Sequence, residues 1–418
     1  MPEPDHITAE QMKMVLEVTR MLAVTTDLDK LLLRIAEATT SLLGCERASI
    51  FLHDKATDEL VTRIALLSKE IRVPSHKGIV GATFQADKLL HVPDPYADPR
   101  FNPAPDKASG FRTRNILAVP MADLDGAPIG VMQAINKIGG TFTPRDEGMV
   151  EMLSDQAGVA IQRYRLQIAA EGSALMRREM ELAKKIQEGL IPSCPPGIDG
   201  LQCAGWTKAA SITGGDCYDL WRLPDGRLGI FLGDATGHGI GPALVVSQTR
   251  TLVRTLCQFE TNPHRMFQHI NARLSEDLGG ERFCTAFLGF LSPEGLLHWT
   301  SAGHGPILIR QGLDGALESP ETPAPPLGVD DSWPEHAIPD PVQLRSGGSL
   351  ILMSDGIFEA SNPEGEAYGI GRMIEMLHQS REFPPDQSIK TLRDSVNQWQ
   401  VKVEPDDDQT IVIVQRTR

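Results

Sequence analysis

The N-terminal stretch has the apolar spacing of amphipathic helices. In residues 9–43, apolar side chains recur three and four positions apart: Met12, Val15, Leu16 and Leu22, then Leu28, Leu31, Leu32 and Ile35. This spacing places them on one helical face. Thr25, Thr26 and Asp27 are candidates for a helix N-cap. We therefore predict two helices, the second beginning near Leu28.

Short strand-like runs follow, separated by Gly, Asp and Pro, at residues 48–52, 60–65, 116–121 and 130–135. A polar segment, residues 91–114, interrupts them. It carries aromatic residues and paired charges rather than low-complexity sequence, and long segments of this kind within a domain are usually functional or disordered. We predict a binding loop or lid there.

A second helical pattern covers residues 146–185, which contain no proline, and predicts a connector helix. Ile168, Leu175 and Leu182 recur every seven residues, as in a coiled coil. Gly172 and Glu179 occupy the complementary positions and weaken that pattern. A helix packed on its own domains and a seam between two copies therefore both stay open, and a homodimer is our expectation.

The pattern changes after the Pro-rich break at residues 191–197. Strand-like runs occupy 228–232, 285–291, 296–301, 307–310, 349–353 and 410–414, and helical patterns occupy 241–258, 263–278, 369–380 and 387–400. Strands outnumber helices without regular alternation, which favours an α+β fold with packed sheets flanked by helices. We predict a sensor domain over 1–165, a helical connector over 166–193 and a catalytic domain over 194–418.

Length and charge restrict the function classes. A chain of 418 residues is too long for one core. Its formal net charge of −15 argues against nucleic-acid and anionic-membrane partners. No apolar run is long enough to span a bilayer and the N-terminus lacks signal-peptide character, so we expect a cytoplasmic protein. The six cysteines form no C-x-x-C pair, so neither a disulfide framework nor a zinc knuckle is indicated.

Candidate chemistry lies in aspartates at the ends of apolar runs. Asp234 ends one such run, Asp355 follows another, and Asp407 and Asp408 precede a third, while Asp216 follows two glycines. Mg²⁺ and Mn²⁺ prefer oxygen ligands, and strand ends can bring such ligands rigidly to one point. A single Asp-Gly is most often a turn, but four such sites together indicate a metal centre. Two metals there would suit phosphoryl chemistry.

The order of these motifs resembles one family. GGDCYD at 214–219, GDATGHG at 233–239, SAGH at 301–304, PLG at 326–328, SDG at 354–356 and DDQT at 407–410 occur as in SpoIIE-type members of the Mg²⁺/Mn²⁺-dependent protein phosphatases, the PPM family. The resemblance covers about half of the chain. It implies a PPM-type β-sandwich flanked by helices, with a site for two Mn²⁺ or Mg²⁺ ions.

Individual roles follow from the same resemblance. Asp234 would bridge both metals, the carbonyl of Ala235 would bind one, Asp355 and Asp407 would complete the site, and Asp216 would hold a water molecule of the metal centre. Asp219 and Asp408 stay without a firm role. For His238 and His304, which lie in Gly-rich turns, a structural hydrogen bond competes with a general-acid role. We find no equivalent of the arginine that binds phosphate in eukaryotic relatives.

The N-terminal region resembles a GAF domain of the cyclic-nucleotide-binding kind. Asn136-Lys137, Phe142 and Asp146-Glu147 reproduce its N-K…F-x-x-x-D-E signature, and residues 96–102 and 110–115 resemble the lid and helix of phosphodiesterase GAF domains. By position, the pocket would be lined by Ser49, Val80, Asp106, Ser109, Thr113 and Gln133. Such groups suit cAMP or cGMP. The signature fits a structural Lys-Asp salt bridge equally well.

The two resemblances imply a protein serine/threonine phosphatase regulated by a GAF sensor of a small-molecule effector. By resemblance, the substrate would be phosphoserine or phosphothreonine on an anti-sigma-factor antagonist. Two alternatives stay open: a catalytically idle scaffold gated by a ligand, and a hydrolase of small phosphate esters.

Overall fold

The computed structural model describes residues 20, 27–64, 71–237, 239–280, 282–322, 324–334, 338–401 and 404–417, except for the side chains of 63 and 64. The first predicted helix lies mostly outside these residues. The chain divides into two compact units, Met1–Ala174 and Leu175–Arg418. None of the described helices is long and apolar enough to cross a membrane.

The first unit is built on an antiparallel sheet of six strands in the order β3-β2-β1-β6-β5-β4. Its elements are α1 (Leu28–Leu43), β1 (Cys45–Asp54), β2 (Glu59–Ile64), β3 (Ile71–Pro74), α2 (Gly78–Ala86), β4 (Leu90–Val92), α3 (Ala104–Ser109), β5 (Ile116–Ala122) and β6 (Pro128–Lys137). Asp27 caps α1 by accepting a hydrogen bond from the Lys30 amide at 3.0 Å, which confirms one N-cap candidate.

Strand alternation gives this sheet two apolar faces. Ala48, Ile50 and Leu52 of β1 pack with the apolar face of α1. Phe51 points to the opposite face and packs with Val80 of α2. The segment predicted as a loop or lid contains β4, a short 3-10 helix at Pro95–Ala97 and α3. It is therefore more ordered than its polar sequence indicates.

Helix α4 runs from Pro144 to Glu188, which confirms the second helical pattern and extends it at both ends. Asp146 and Glu147 in its first turn suit the positive end of the helix dipole. Beyond Ile161, its apolar side chains are largely exposed: Leu166, Ile168, Leu175, Met176, Leu182 and Ile186.

The second unit contains two five-stranded sheets, β14-β11-β10-β9-β8 and β13-β12-β15-β16-β7. Their strands are β7 (Leu201–Lys208), β8 (Asp216–Arg222), β9 (Leu228–Ala235), β10 (Cys284–Leu291), β11 (Leu296–Ala302), β12 (Ile307–Arg310), β13 (Leu317–Glu318), β14 (Val342–Gln343), β15 (Ser349–Met353) and β16 (Gln409–Arg416). The helices are α5 (Ile240–Leu256), α6 (Pro263–Leu278), α7 (Asp355–Phe358), α8 (Gly369–Gln379) and α9 (Pro385–Gln400).

These elements form four layers. Ile230 and Leu232 of β9 pack with Leu352 and Val412 of the other sheet. Phe231, between them, faces the layer that contains α5 and α6, and the opposite sheet packs on α8 and α9. A sandwich flanked by helices confirms the α+β prediction, and β-strands buried on both sides explain its continuous apolar runs.

Candidate active site

The acidic residues meet where strands of both sheets end. Asp216 begins β8 and lies directly opposite Asp234, near the end of β9, in the antiparallel register. In the other sheet, Asp355 follows β15 and Asp407 precedes β16, and these two strands are hydrogen-bonded neighbours. The fold therefore brings the four predicted catalytic aspartates to one end of the sandwich.

Asp408 ties the two sheets together at this end. Its Oδ1 accepts a hydrogen bond from the Ala210 amide at 2.7 Å. Its Oδ2 accepts hydrogen bonds from the amides of Gly215, at 2.5 Å, and Asp216, at 3.2 Å. A buried carboxylate that accepts hydrogen bonds from three backbone amides holds the segments that carry those amides in fixed positions. Asp408 therefore positions the segment that carries Asp216.

Glycine is required at two points of close approach. A Cβ on Gly215 would lie 2.5 Å from the carbonyl oxygen of Ala235, and a Cβ on Gly356 would lie 2.2 Å from that of Asp408. Any side chain at these positions would push the strand ends apart. The glycines beside the aspartates therefore allow the acidic groups to approach.

The carboxylates perturb one another electrostatically. Burial, followed by the charges of Asp355, Asp407 and Asp408, raises the pKa of Asp234 to about 7. Burial and the charge of Asp234 raise the pKa of Asp216 well above its usual range. Burial and Asp407 also raise the pKa of Asp355. Neighbouring buried carboxylates resist ionising together unless a cation compensates them.

This donor set fits a hard divalent cation. Asp216, Asp234, Asp355 and Asp407 offer carboxylate oxygens, and the buried Oδ2 of Asp216 has no hydrogen-bond partner among the described residues. A cation would relieve the mutual repulsion, and a water molecule held by that cation would satisfy the free oxygen of Asp216. Within the described ranges, no three His, Cys, Asp or Glu side chains are arranged so that they could hold a metal ion together. The ligand assignments therefore stay predictions.

Asp219 has a different environment from Asp216. It lies three residues further along β8, so its side chain points to the opposite face of the sheet. There it forms an ion pair with Arg250 of α5 at 2.8 Å, and Arg254 lies 3.8 Å away. Asp219 therefore joins a sheet to a helix, away from the acidic cluster.

His304 is buried near the site. Its Nδ1 lies 3.1 Å from Oγ1 of Thr285, and Thr285 lies opposite Asp234 in the sheet. Its main-chain amide and carbonyl both contact the Ser301 hydroxyl. These contacts support the structural interpretation of His304. His238 lies outside the described residues.

The predicted GAF pocket residues are only partly brought together. Ser49 and Gln133 lie opposite one another on neighbouring strands, on the sheet face that packs with Val80. Asp106 and Thr113 are both buried. Ser109 is exposed, and its hydroxyl donates to the Pro105 carbonyl at 2.8 Å.

The carboxylate of Asp106 is already engaged. Its Oδ1 accepts from the Thr113 hydroxyl at 2.9 Å, and its Oδ2 accepts from the Thr113 amide at 2.7 Å and the Tyr96 hydroxyl at 3.0 Å. Asp106 therefore joins α3 to the Tyr96 turn and the start of β5.

The N-K…F-x-x-x-D-E signature forms a structural network. Lys137 Nζ donates to Asp146 and to the Leu43 carbonyl, each at 2.7 Å. Asn136 has a positive φ of 60°, and its side chain contacts Glu46 and the backbone at Arg112. These contacts support the alternative of a structural Lys-Asp salt bridge for this motif.

Comparison with known proteins agrees with this architecture. Residues 224–417 match the family model for stage II sporulation protein E (SpoIIE), and residues 27–161 match the GAF domain model. The fold of the SiaA-PP2C domain of Pseudomonas aeruginosa is similar, with a TM-score of 0.51 at 18% identity, covering 59% of this chain and 99% of that domain.

Two curated relatives are cyclic-nucleotide phosphodiesterases by name. The dual 3′,5′-cyclic-AMP and -GMP phosphodiesterase 11A of Takifugu rubripes is 30% identical over 188 residues, 41% of this chain and 20% of that protein. The probable 3′,5′-cyclic phosphodiesterase pde-5 of Caenorhabditis elegans is 29% identical over 189 residues, 38% of this chain and 26% of that protein. The chain thus spans about a fifth to a quarter of these relatives. Together, the two family models show that the chain carries a GAF domain followed by a SpoIIE domain.

Proposed function

We propose that this chain is a metal-dependent protein serine/threonine phosphatase controlled by its GAF domain. The observation that carries the proposal is the meeting of Asp216, Asp234, Asp355 and Asp407 at one end of the sandwich, with raised pKa values at three of them. Such a concentration of buried negative charge is costly unless cations compensate it. The cytoplasmic location expected from the sequence belongs to the same proposal.

Different residues of the chain would bind the metal ions, orient the water molecule and position the site. Asp234, Asp355, Asp407 and the carbonyl of Ala235 would hold two Mn²⁺ or Mg²⁺ ions. When bound, such ions activate water and neutralise phosphoryl charge. The unpartnered Oδ2 of Asp216 would accept a hydrogen bond from the attacking water and orient it. Asp408 would keep Asp216 in place through the backbone.

The proposed substrate is phosphoserine or phosphothreonine on a partner protein, by resemblance an anti-sigma-factor antagonist. A hydrolase of small esters would cleave free phosphoserine as readily as a phosphopeptide, whereas a protein phosphatase would prefer the peptide. Comparing kcat/KM for the two substrates separates these functions.

The central test is Mn²⁺-dependent phosphate release from a phosphoserine protein by the full chain. We expect activity in wild type and its loss, by at least about a hundredfold, in Asp234→Ala and Asp355→Ala. Asp394→Ala, which removes an exposed carboxylate on α9, is the matched control and should stay active. A wild type that is inactive with metal supplied would favour the idle scaffold.

The proposed effector of the GAF domain is cAMP or cGMP. Support comes from Ser49 and Gln133, which lie on the sheet face that packs with Val80, and from similarity to the named phosphodiesterases. Isothermal titration of the full chain with each cyclic nucleotide, with 5′-AMP as the acyclic control, tests the idea. An absence of binding heat for both cyclic nucleotides would contradict it.

The proposed route of regulation is α4, because this one helix begins in the first compact unit and ends in the second. Effector binding would shift the helix and so change the order of the metal site. The exposed apolar side chains of α4 support a homodimer through this helix. If the effector binds but the phosphatase rate of the full chain is unchanged, this coupling is absent.

A further inference from the structure

The end of helix α4 contains one buried residue, and that residue is polar. Throughout residues 162–188, all of which are described, Gln187 is the only one that is buried, with 9% of its surface exposed. The neighbouring Ile186 and Glu188 are exposed. Burying an amide is unfavourable unless its donor and acceptor are both satisfied, so the contacts of Gln187 require explanation.

Both ends of the Gln187 amide bind one residue of the acidic site. Its Nε2 donates to the Gly214 carbonyl at 2.7 Å, and its Oε1 accepts from the Gly214 amide at 3.2 Å. This two-point contact fixes the Gly214 backbone in both distance and orientation. An asparagine is one methylene shorter, and a glutamate has no donor for the carbonyl.

Gly214 leads directly into the acidic cluster. The next two amides, of Gly215 and Asp216, donate to Asp408. The Gly215 carbonyl accepts from the Ala235 amide at 3.1 Å. Gln187 therefore holds one end of a short segment that also contacts Asp408, which positions Asp216, and Ala235, a proposed metal ligand.

Helix α4 is terminated at its C-terminal end without help from the Gln187 side chain. The Gly189 amide donates to the Lys185 carbonyl at 3.2 Å, and the Leu190 amide donates to the Gln187 carbonyl at 2.9 Å. These backbone bonds already terminate the helix. The amide of Gln187 is thus available for a task other than capping.

We propose that Gln187 is a positioning residue of the metal site, which joins the end of α4 to the segment carrying Asp216 through the Gly214 backbone. The inference rests on the proposed phosphatase function. It identifies the side chain through which α4 sets the affinity of the site for metal. Residues that hold metal ligands in place typically change metal affinity or activity by about 10- to 100-fold when replaced.

The test uses the full chain with three substitutions. Gln187→Leu removes the hydrogen bonds at similar volume, and Gln187→Glu keeps the shape but removes the donor. Glu188→Gln, at an exposed neighbour on the same turn, is the matched control. Mn²⁺ binding is measured by isothermal titration, phosphatase rate is measured across a Mn²⁺ series, and thermal unfolding is followed without metal.

We expect both Gln187 variants to bind Mn²⁺ about 10- to 100-fold more weakly and to need correspondingly more Mn²⁺ for half-maximal rate, with a rate at saturating Mn²⁺ close to wild type. Glu188→Gln should match wild type. Should Gln187→Leu fail to fold, Gln187→Glu supplies the same comparison.

The outcomes separate this inference from the proposed function. An active wild type whose Gln187 variants unfold at lower temperature but keep the wild-type Mn²⁺ dependence would make Gln187 a purely structural residue and overturn the inference. A wild type that neither binds Mn²⁺ nor releases phosphate would overturn the proposed function, and the inference with it.

Discussion

The buried imidazole of His304 should make the stability of the chain sensitive to acid. Only 3% of its surface is exposed, and its Nε2 has no hydrogen-bond partner in the described part of the chain. Burial lowers the pKa of His304 to about 4, against an ordinary value of 6.5, despite a favourable contact with the Met353 backbone. The folded state therefore holds the neutral ring.

The sign and size of the pH effect on the free energy of unfolding follow from the difference between the pKa values of His304 in the folded and unfolded states. The pKa of His304 is lower in the folded state than in the unfolded state. Below pH 6.5 the unfolded chain therefore gains a proton that the folded chain does not bind, and the free energy of unfolding falls until the pH reaches about 4. With these two values, the free energy of unfolding should fall by about 2 kcal/mol between pH 8 and pH 5 through this residue alone. In a domain of this size, the loss corresponds to about 4–8 °C in Tm.

The assay is thermal unfolding of wild type and His304→Gln at pH 8, 7, 6 and 5. The variant removes the titrating group, so the difference in Tm between the two proteins should shift by about 4–8 °C between pH 8 and pH 5. His269→Gln, at an exposed histidine of α6, should show no such shift. A constant difference between wild type and His304→Gln would refute the buried neutral histidine.

Three further perturbations test other parts of the structure. Asp219→Ala leaves Arg250 largely buried without its partner and should destabilise the chain by about 3–5 kcal/mol in chemical denaturation; a loss below about 1 kcal/mol would contradict the ion pair's importance. Gly356→Ala places a Cβ 2.2 Å from the Asp408 carbonyl and should cost about 1–3 kcal/mol and weaken Mn²⁺-dependent activity, unlike Gly371→Ala, which meets no atom within 4 Å. Leu182→Lys, on the exposed face of α4, should convert the proposed dimer to a monomer in light scattering, and a monomeric wild type would contradict the dimer.

Periodicity predicted the elements whose burial is regular. The helix at Pro263–Leu278 was expected over the same residues, because its apolar positions follow one face. Strands β7 and β8 escaped prediction. In β8, the six residues from Asp216 to Trp221 are buried whether polar or apolar, so hydrophobicity does not reveal the strand.

Part of the site was also readable from the sequence. Aspartates at strand ends predicted that Asp216, Asp234, Asp355 and Asp407 would meet, because an antiparallel sandwich brings such ends together. The separate role of Asp219 was not predicted, although a residue three positions along a strand faces the opposite side of the sheet. That inference required recognising β8 as a strand.

The contacts that position Asp216 could not be predicted from sequence patterns. Gln187 and Gly214 are 27 residues apart, and Gly215 and Asp408 are 193 apart, so no local spacing relates them. These contacts also divide the site physically. Asp234 lies between two neighbouring strands of its sheet, whereas Asp216 is the first residue of β8, and the segment before it is held by the Gln187 and Asp408 side chains. Replacing the proposed metal ligands at the strand ends should therefore abolish metal binding. Removing the Gln187 contact should only weaken metal binding, and a contact that regulates the site needs such a graded effect.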